Sequence, residues 1–288
     1  MFVSLHNHSQ YSNTHLLDCI IKPKDLVNRA ITLGFGGVAL TDHDCLSGAV
    51  ELLRIRDEIK EKNPDFKIIL GNEIYLIDET EIKNTNKYYH FILLAKDLTG
   101  WEQLKQLSTR AWQRYYFEKG VKRTPTTNQD IEEIVGKNPG HLLCSTACLG
   151  GRLNCYILNH QVKEANNFVR WCIKVFGKQN VALELQPSDS EEQVTVNKVL
   201  VKMANHYDVR YIVTTDTHYL EKEDAGVHGA FINSRQSSDR EVDKFYKYTY
   251  MMDLEEVASL LKLSDLSENE IANAINNTSA FVRDIENY

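Results

Sequence analysis

The chain has 288 residues, 42% of them hydrophobic, and a formal net charge of −7. A chain of this length and composition can bury a sizeable core, and we expect one large α/β domain. The acidic balance excludes a nucleic-acid binder that relies on a general basic surface. Any phosphate ligand must therefore be attracted locally, for example by metal ions held among carboxylates.

Signals for membrane insertion or export do not stand out in the sequence. No apolar run is long enough to span a membrane, and the N-terminus lacks a basic segment followed by an apolar one. We therefore expect a cytoplasmic protein with no membrane partner. The cysteines, 6 in number, are too sparse for a disulfide scaffold, and a cytoplasmic location predicts that they are reduced.

Apolar runs typical of buried strands alternate along the chain with amphipathic stretches typical of helices. Strands are predicted at 2–5, 37–41, 67–75, 89–95, 141–145, 181–185 and 211–214. Helices are predicted at 22–33, 47–62, 100–116, 128–135, 162–176, 190–207 and 254–261, and loops at 77–86 and 118–128. This alternation predicts βα units around a parallel sheet, either a closed barrel or a doubly wound sheet.

Potential metal ligands accompany the predicted strands. His6 and His8 follow the first strand and, two residues apart, would point to the same face of it. Asp216 and His218 repeat this spacing after the last strand, and the other candidates are His43, Glu73, His90 and Cys148. The carboxyl ends of barrel strands open onto one face, where distant residues converge. The pattern therefore favours the barrel and predicts a site for several metal ions.

The same segments resemble a known family. In chain order they read HNHSQYS, ALTDHDCLSG, GNEIYL, YHFILLAKDLTG, STACLGG and TTDTHYLEKEDAGVH. They are similar to the polymerase and histidinol phosphatase (PHP) domain at the N-terminus of the bacterial DNA polymerase III alpha subunit. Histidinol phosphatases share the HxH, TDH and DxH elements, whereas LLAKDLTGWEQL and CLGG resemble the polymerase branch. The later FYKYTYMMDLEEV is similar to the segment that precedes the polymerase part.

The resemblance implies a distorted (βα)7 TIM-like barrel and a single PHP domain over 1–288, with a C-terminal extension from about residue 235. It also implies two to three divalent ions, which the ligand types indicate to be Zn, Mn or Fe. Carried over by motif, the ligand and catalytic set is His6, His8, Asp18, His43, Glu73, His90, Cys148, Asp216 and His218. One position departs from the pattern, because His15 occupies the usual place of the aspartate and Asp18 stands 3 residues later. We prefer Asp18 as the ligand, and His15 stays open as the alternative.

Two further features concern the substrate. Arg152 directly follows CLGG and is predicted to hold a substrate phosphate. The stretch QRYYFEKGVKR offers stacking and phosphate contacts for a single strand through Tyr115, Tyr116, Lys119, Lys122 and Arg123. A solvated helix end explains this stretch equally well.

The resemblance implies metal-dependent phosphodiester hydrolysis, and most specifically a 3′-to-5′ proofreading exonuclease. Its partners would be single-stranded DNA 3′ ends and the polymerase part of an alpha subunit. A phosphomonoesterase of the histidinol phosphatase type and a non-catalytic scaffold of the polymerase are the alternatives. No polymerase-type aspartate cluster is visible here, so we expect no polymerase activity from this chain alone.

Overall fold

A curled sheet lies at the centre of the computed structural model, which describes residues 1–78, 88–118, 120–234 and 246–286. The strands are β1 (Val3–Ser4), β2 (Gly37–Leu40), β3 (Lys67–Ile77), β4 (Tyr89–Ala95), β5 (Tyr116–Glu118), β6 (Val121–Arg123), β7 (Thr126–Thr127), β8 (Leu142–Ser145), β9 (Val181–Leu185) and β10 (Arg210–Val213). The sheet order is β1-β2-β3-β4-β8-β9-β10, β7 pairs with β3, and β5 and β6 form a separate hairpin.

The sheet closes into a barrel where the chain leaves its first and last strands. Asn7 and Thr217 form a parallel bridge beyond β1 and β10. Two backbone hydrogen bonds accompany it, from His8 N to Thr217 O at 2.9 Å and from Thr217 N to His6 O at 3.1 Å. The predicted distorted barrel is therefore confirmed, with its seam held at the carboxyl end.

The prediction of an all-parallel sheet is wrong for one strand. β4 runs antiparallel to both of its neighbours, β3 and β8. A parallel crossover needs a dozen or more residues and usually a helix, and the polar stretch before β4 has no helical pattern. The predicted loop 77–86 begins with Ile77, the last residue of β3, and its residues from 79 onward lie outside the described ones. Reversal places the amino end of β4 beside the carboxyl ends of the other barrel strands.

Helices cover the outside of the sheet. They are α1 (Pro23–Thr32), α2 (Ala49–Ile59), α3 (Leu98–Gln113), α4 (Asn128–Ile134), α5 (Arg152–Leu158), α6 (Val162–Phe176), α7 (Glu191–Tyr207), α8 (Ala225–Asn233), α9 (Leu254–Lys262) and α10 (Glu268–Phe281). The helices α5, α8 and α10 were not predicted from the sequence pattern. The predicted loop 118–128 instead contains the end of β5, all of β6 and β7, and the start of α4, and its Lys119 lies outside the described residues.

Side chains alternate between the inside of the barrel and the helix layer, as the two-residue period of a strand requires. The inner apolar cluster takes alternate residues from the strands and ends on α10 and the turn after it. It comprises Val3, Leu5, Ala39, Ile69, Ile92, Leu94, Leu143, Ala147, Ala182, Ile212, Phe281, Val282 and Ile285. Phe281, Val282 and Ile285 close the amino end of the barrel. The Lys67 ammonium secures this closure by donating to the carbonyls of Val282 and Ile285, both at 3.1 Å.

Residues 246–286 pack against the barrel. His218 N donates to Thr249 O at 2.7 Å, and Tyr219 and Tyr250 form a parallel bridge. The domain boundary near residue 235 stays a prediction. None of the helices in the described ranges combines the length and the apolar character that crossing a bilayer requires.

Candidate metal centre

The predicted ligands meet at the carboxyl edge of the barrel. His6 and His8 follow β1, His43 follows β2, and Asp216 and His218 follow β10. Glu73 lies within β3, which continues past the edge, and forms a parallel bridge with His43. His90 is the second residue of β4 and reaches the same edge because β4 runs in the reverse direction.

Nitrogen and oxygen donors gather there in three groups, each with its donor atoms within 4.8 Å of one another. The groups are His8, His43 and His218; His6, His8, Glu73 and Asp216; and His43, Glu73 and His90. Any two groups share one residue: His8, His43 or Glu73. This overlap is the arrangement that adjacent metal ions with bridging ligands require.

Two carboxylates are shared among the imidazoles. Asp216 Oδ1 lies 3.0 Å from His6 Nε2 and 3.2 Å from His8 Nε2. Glu73 Oε1 lies 2.7 Å from His90 Nδ1, and its Oε2 lies 2.8 Å from His43 Nδ1 and 3.2 Å from His8 Nε2. Each carboxylate therefore faces donor atoms of at least two histidines.

These facing atoms do not satisfy one another by hydrogen bonding. The buried atoms without a hydrogen-bond partner include His6 Nε2, His8 Nε2, His43 Nδ1, both carboxylate oxygens of Glu73, and Asp216 Oδ1. Buried polar atoms are almost always paired, so a cluster of unpaired ones needs an explanation. Divalent cations supply it, because imidazole nitrogens and carboxylate oxygens are ligands for Zn²⁺, Mn²⁺ and Fe²⁺.

The pKa shifts of Glu73, Asp216 and His8 suit cation binding. At His6, His43 and His218 nearby carboxylates outweigh burial and raise the pKa, so protons compete with a cation there. Burial acts to raise the pKa of Glu73, but the charges of His90 and His43 outweigh it and hold that pKa well below its usual range. Asp216 likewise has a pKa well below its usual range, because His6 and His218 outweigh the effect of burial. The pKa of His8 is lowered by burial and by His43 and His218. Ionised carboxylates and a neutral imidazole are the forms that bind metals.

Asp18 and His15 occupy different positions at this site. Asp18 Oδ2 lies 2.7 Å from His43 Nε2 and 3.2 Å from His218 Nε2. His15 Nε2 instead lies 3.1 Å from the Thr124 hydroxyl, and its ring stacks on Trp112. The geometry supports Asp18 over His15, and its role as a ligand stays a prediction.

Cys148 lies at the edge of the cluster. Its Sγ is 3.4 Å from His90 Nδ1, and burial raises the pKa of the thiol well above its usual value. Cys148 does not belong to the three donor groups found among the described residues. Its predicted role as a ligand therefore depends on deprotonation by a bound ion.

Arg152 is not among the described residues that line the cavity over the donors. It opens α5, where its guanidinium carbon lies 4.8 Å from the centre of the Tyr89 ring. Its Nη1 donates to Asp78 Oδ1 at 2.9 Å. In the structure Arg152 contacts Tyr89 and Asp78. Its contact with a substrate phosphate stays a prediction.

Glu184 is the buried residue that the motifs did not reveal. It lies in β9 inside the barrel, where its Oε1 is 2.6 Å from His6 Nδ1 and accepts from the Thr214 hydroxyl at 2.6 Å. A donor hydrogen on His6 Nδ1 fixes the tautomer and leaves Nε2 free for a metal. The signal in the sequence was a lone glutamate within the apolar run VALEL, because a buried carboxylate needs partners.

A cavity of about 330 Å³ opens over the donors and is lined by His43, His90, Asp216 and His218, among others. Among the described lining residues, Arg123 of β6 is the only arginine or lysine. Tyr246 also lines the cavity and donates its hydroxyl to Asp18 Oδ1 at 2.5 Å. The cavity has the volume of a small-ligand site.

The family model of the PHP domain matches residues 4–188. The chain belongs to the PHP domain family, which confirms the resemblance seen in the motifs.

Polymerases are among its relatives. The chain is 38% identical, over an alignment 310 positions long, to a DNA-directed DNA polymerase of Bacillus phage SPbeta, covering 99% of this chain and 23% of that protein. It is 34% identical over 237 residues to the DNA polymerase III subunit alpha of Aquifex aeolicus, covering 79% of this chain and 19% of that protein. The chain thus spans less than a quarter of the length of these relatives. Among solved structures, an amidohydrolase from Chromobacterium violaceum is similar at 16% identity and a TM-score of 0.47, covering 76% of this chain and 88% of that one.

Proposed function

We propose that this chain is a metal-dependent phosphodiesterase that shortens single-stranded DNA from its 3′ end, as the PHP domain of a replicative DNA polymerase. The observation that carries the proposal is the set of unpartnered donor atoms in three overlapping groups. The polymerase relatives supply the context, because a proofreading nuclease acts on the strand end that a polymerase extends. The polymerase part of an alpha subunit is the proposed partner. The proposed location of the chain is the cytoplasm.

Nine residues would hold two to three divalent ions, zinc, manganese or iron. They are His6, His8, Asp18, His43, Glu73, His90, Cys148, Asp216 and His218. Such ions lower the pKa of a bound water and clamp the oxygens of a phosphodiester.

The chain's own residues orient these donors and the substrate. Glu184 holds the His6 ring through Nδ1, and the Tyr246 hydroxyl holds the Asp18 carboxylate. Arg123, at the cavity wall, is placed to contact a non-bridging phosphate oxygen, and a planar guanidinium suits this role. The buried position of His6, His8 and Glu73 excludes bulk water from the donors, which strengthens their electrostatic interactions.

The test is a time course with a 5′-labelled single-stranded oligonucleotide and added Mn²⁺ or Zn²⁺. We expect stepwise shortening from the 3′ end, and protection by phosphorothioates at the 3′ end but not at the 5′ end. If only phosphorothioates at the 5′ end protect the oligonucleotide, the proposed hydrolysis stands and the proposed 3′-to-5′ direction is refuted.

A small phosphate monoester, run alongside, separates the alternatives. Release of phosphate from the monoester with an intact oligonucleotide would indicate a phosphomonoesterase. Turnover of neither substrate under any of the metals, with metal content verified, would leave the scaffold role.

A further inference from the structure

The hairpin of β5 and β6 separates two sets of side chains. Its register pairs Tyr116 with Arg123 and Phe117 with Lys122. Residues directly opposite each other share one face of an antiparallel pair, and successive residues point to opposite faces. Arg123 and Lys122 are therefore on different faces of the hairpin, one turned toward the metal cavity and the other away from it.

The inner face meets the metal cavity. The Arg123 guanidinium carbon lies 4.6 Å from the centre of the Tyr88 ring, and both residues line the cavity with His43 and His90. Arg123 Nε lies 3.4 Å from Glu118 Oε2 without forming a hydrogen bond. The stacked guanidinium is thus held in place, and its N–H groups retain capacity for a phosphate.

The outer face is apolar, exposed and basic. Phe117 is 65% exposed and Tyr115 is 53% exposed, which is unusual for large aromatic side chains of a folded domain. Their rings lie 6.1 Å apart, and the Lys122 ammonium lies 5.2 Å from the centres of the Trp112 and Tyr115 rings. Exposed aromatic rings beside a cation form the platform on which single-stranded nucleic acids stack their bases.

We infer that this hairpin is a binding arm for a single-stranded polynucleotide. Arg123 holds a backbone phosphate at the cavity, and Phe117, Tyr115 and Lys122 bind nucleotides further along the strand. A ligand must be longer than one nucleotide to contact both faces, so a small phosphate ester gains nothing from the outer face. A duplex cannot wrap around the hairpin because its bases are already paired and stacked. The inference rests on the proposed function and specifies its substrate as a strand of several nucleotides.

Binding is measured first, in chelator and without turnover, by fluorescence anisotropy of a labelled oligothymidine. We expect Phe117→Ala to weaken binding about tenfold, because the variant loses the stacking of one base. Lys122→Gln and Arg123→Gln should each reduce the slope of log affinity against log salt by about 0.7, as expected for one lost phosphate contact on a single strand. Phe117→Ala should leave this slope unchanged. Val162→Ala and Lys163→Gln on α6 are the matched surface controls, and thermal unfolding verifies that every variant is folded.

Turnover is measured second, on the oligonucleotide and on bis(4-nitrophenyl) phosphate. Phe117→Ala should lower kcat/KM for the oligonucleotide about tenfold and leave the small diester unaffected. Equal loss on both substrates, or wild-type binding by folded Phe117→Ala and Lys122→Gln, would overturn the arm. Binding that depends on the hairpin without any cleavage would support the arm and refute the nuclease. Hydrolysis of the small diester without oligonucleotide binding would support the hydrolytic activity and refute the arm.

Discussion

The two ends of the barrel interior are built from the same strands and differ completely in chemistry. In β9, Ala182 belongs to the inner apolar cluster, and Glu184, two residues later on the same face, hydrogen-bonds to His6. In β10, Ile212 belongs to the cluster, and Thr214, the residue directly after the strand, donates to Glu184. Two residues of a strand span only about 7 Å. The change from apolar core to polar site therefore occurs over the length of one side chain.

This difference separates stability from function. The amino end gains free energy by burying apolar surface around Phe281 and Ile285. The carboxyl end loses free energy in the absence of ions, because Glu73 and Asp216 are buried with unpaired oxygens. The barrel can hold such a cluster because its other end provides a compact core.

The largest expected effect is on turnover at the polar end. Asp216→Asn removes the carboxylate that faces both His6 and His8, so we expect kcat on the oligonucleotide to fall at least about a thousandfold, or about 4 kcal/mol in the barrier. In EDTA, where no ion contributes to stability, the variant should resist unfolding by urea as well as the wild type does. Asp57→Asn, an exposed helix position, is the control. Near-normal turnover by Asp216→Asn would show that Asp216 does not belong to the catalytic site.

At the apolar end the effect should fall on stability. Phe281 is 5% exposed and packs among the inner apolar residues, so Phe281→Ala should lower the free energy of unfolding by about 3–5 kcal/mol. Urea unfolding measures this loss. The folded Phe281→Ala protein should keep its metal content. Loss of the metals from the folded variant would show that the two ends of the barrel are not independent.

The choice between Asp18 and His15 as a metal ligand gives a smaller contrast within the polar end. Asp18 contacts His43 and His218, so Asp18→Asn should reduce turnover about a hundredfold, or about 2.7 kcal/mol. His15→Ala removes a ring that contacts Thr124 and Trp112 and should reduce turnover no more than about threefold. Steady-state kinetics of both variants decides between the two residues, and the opposite order would reassign the ligand to His15.

Chelation should lower Tm. One ion that binds only the folded state, at a hundred times its Kd, stabilises it by about 2.7 kcal/mol, and for a chain of this size the loss of that ion lowers Tm by roughly 5–10 °C. Calorimetry with and without EDTA measures the shift. The shift should be the same in Phe281→Ala and smaller in Asp216→Asn. An unchanged Tm after verified metal loss would mean that the cluster does not stabilise the fold.

Much of the site could be predicted because its ligands come in short patterns at strand ends. His6 with His8, and Asp216 with His218, stand two residues apart where a strand stops, and the structure brings both pairs together. His90 was expected at a strand start, and only the reversed direction of β4 explains why that start lies at the site. Strand direction depends on pairing partners, which hydropathy does not encode.

Other features depend on tertiary contacts that leave little trace in the sequence. The strands β5 and β6 have three residues each, too few for a two-residue period to be recognised. The helix α10 is rich in asparagine, which favours other conformations, and is stabilised by packing on β10 and by the Ser267 capping box. No ligand motif marks Glu184 in the sequence, because this residue hydrogen-bonds to the proposed ligand His6 and is not itself a member of a donor group.

The bridge between Asn7 and Thr217 also sets an order of events for a newly made chain. The group of His43, Glu73 and His90 is complete early in synthesis, whereas the other two groups need His218 or Asp216. Those two groups assemble only when the last strand docks beside the first. An ion bound by His6 and Asp216 would join two residues that are 210 positions apart in the sequence, so it could be held only after the barrel has closed. Loading of the centre would thus mark the completion of folding, since an unfinished or misclosed barrel could not retain the full set of ions.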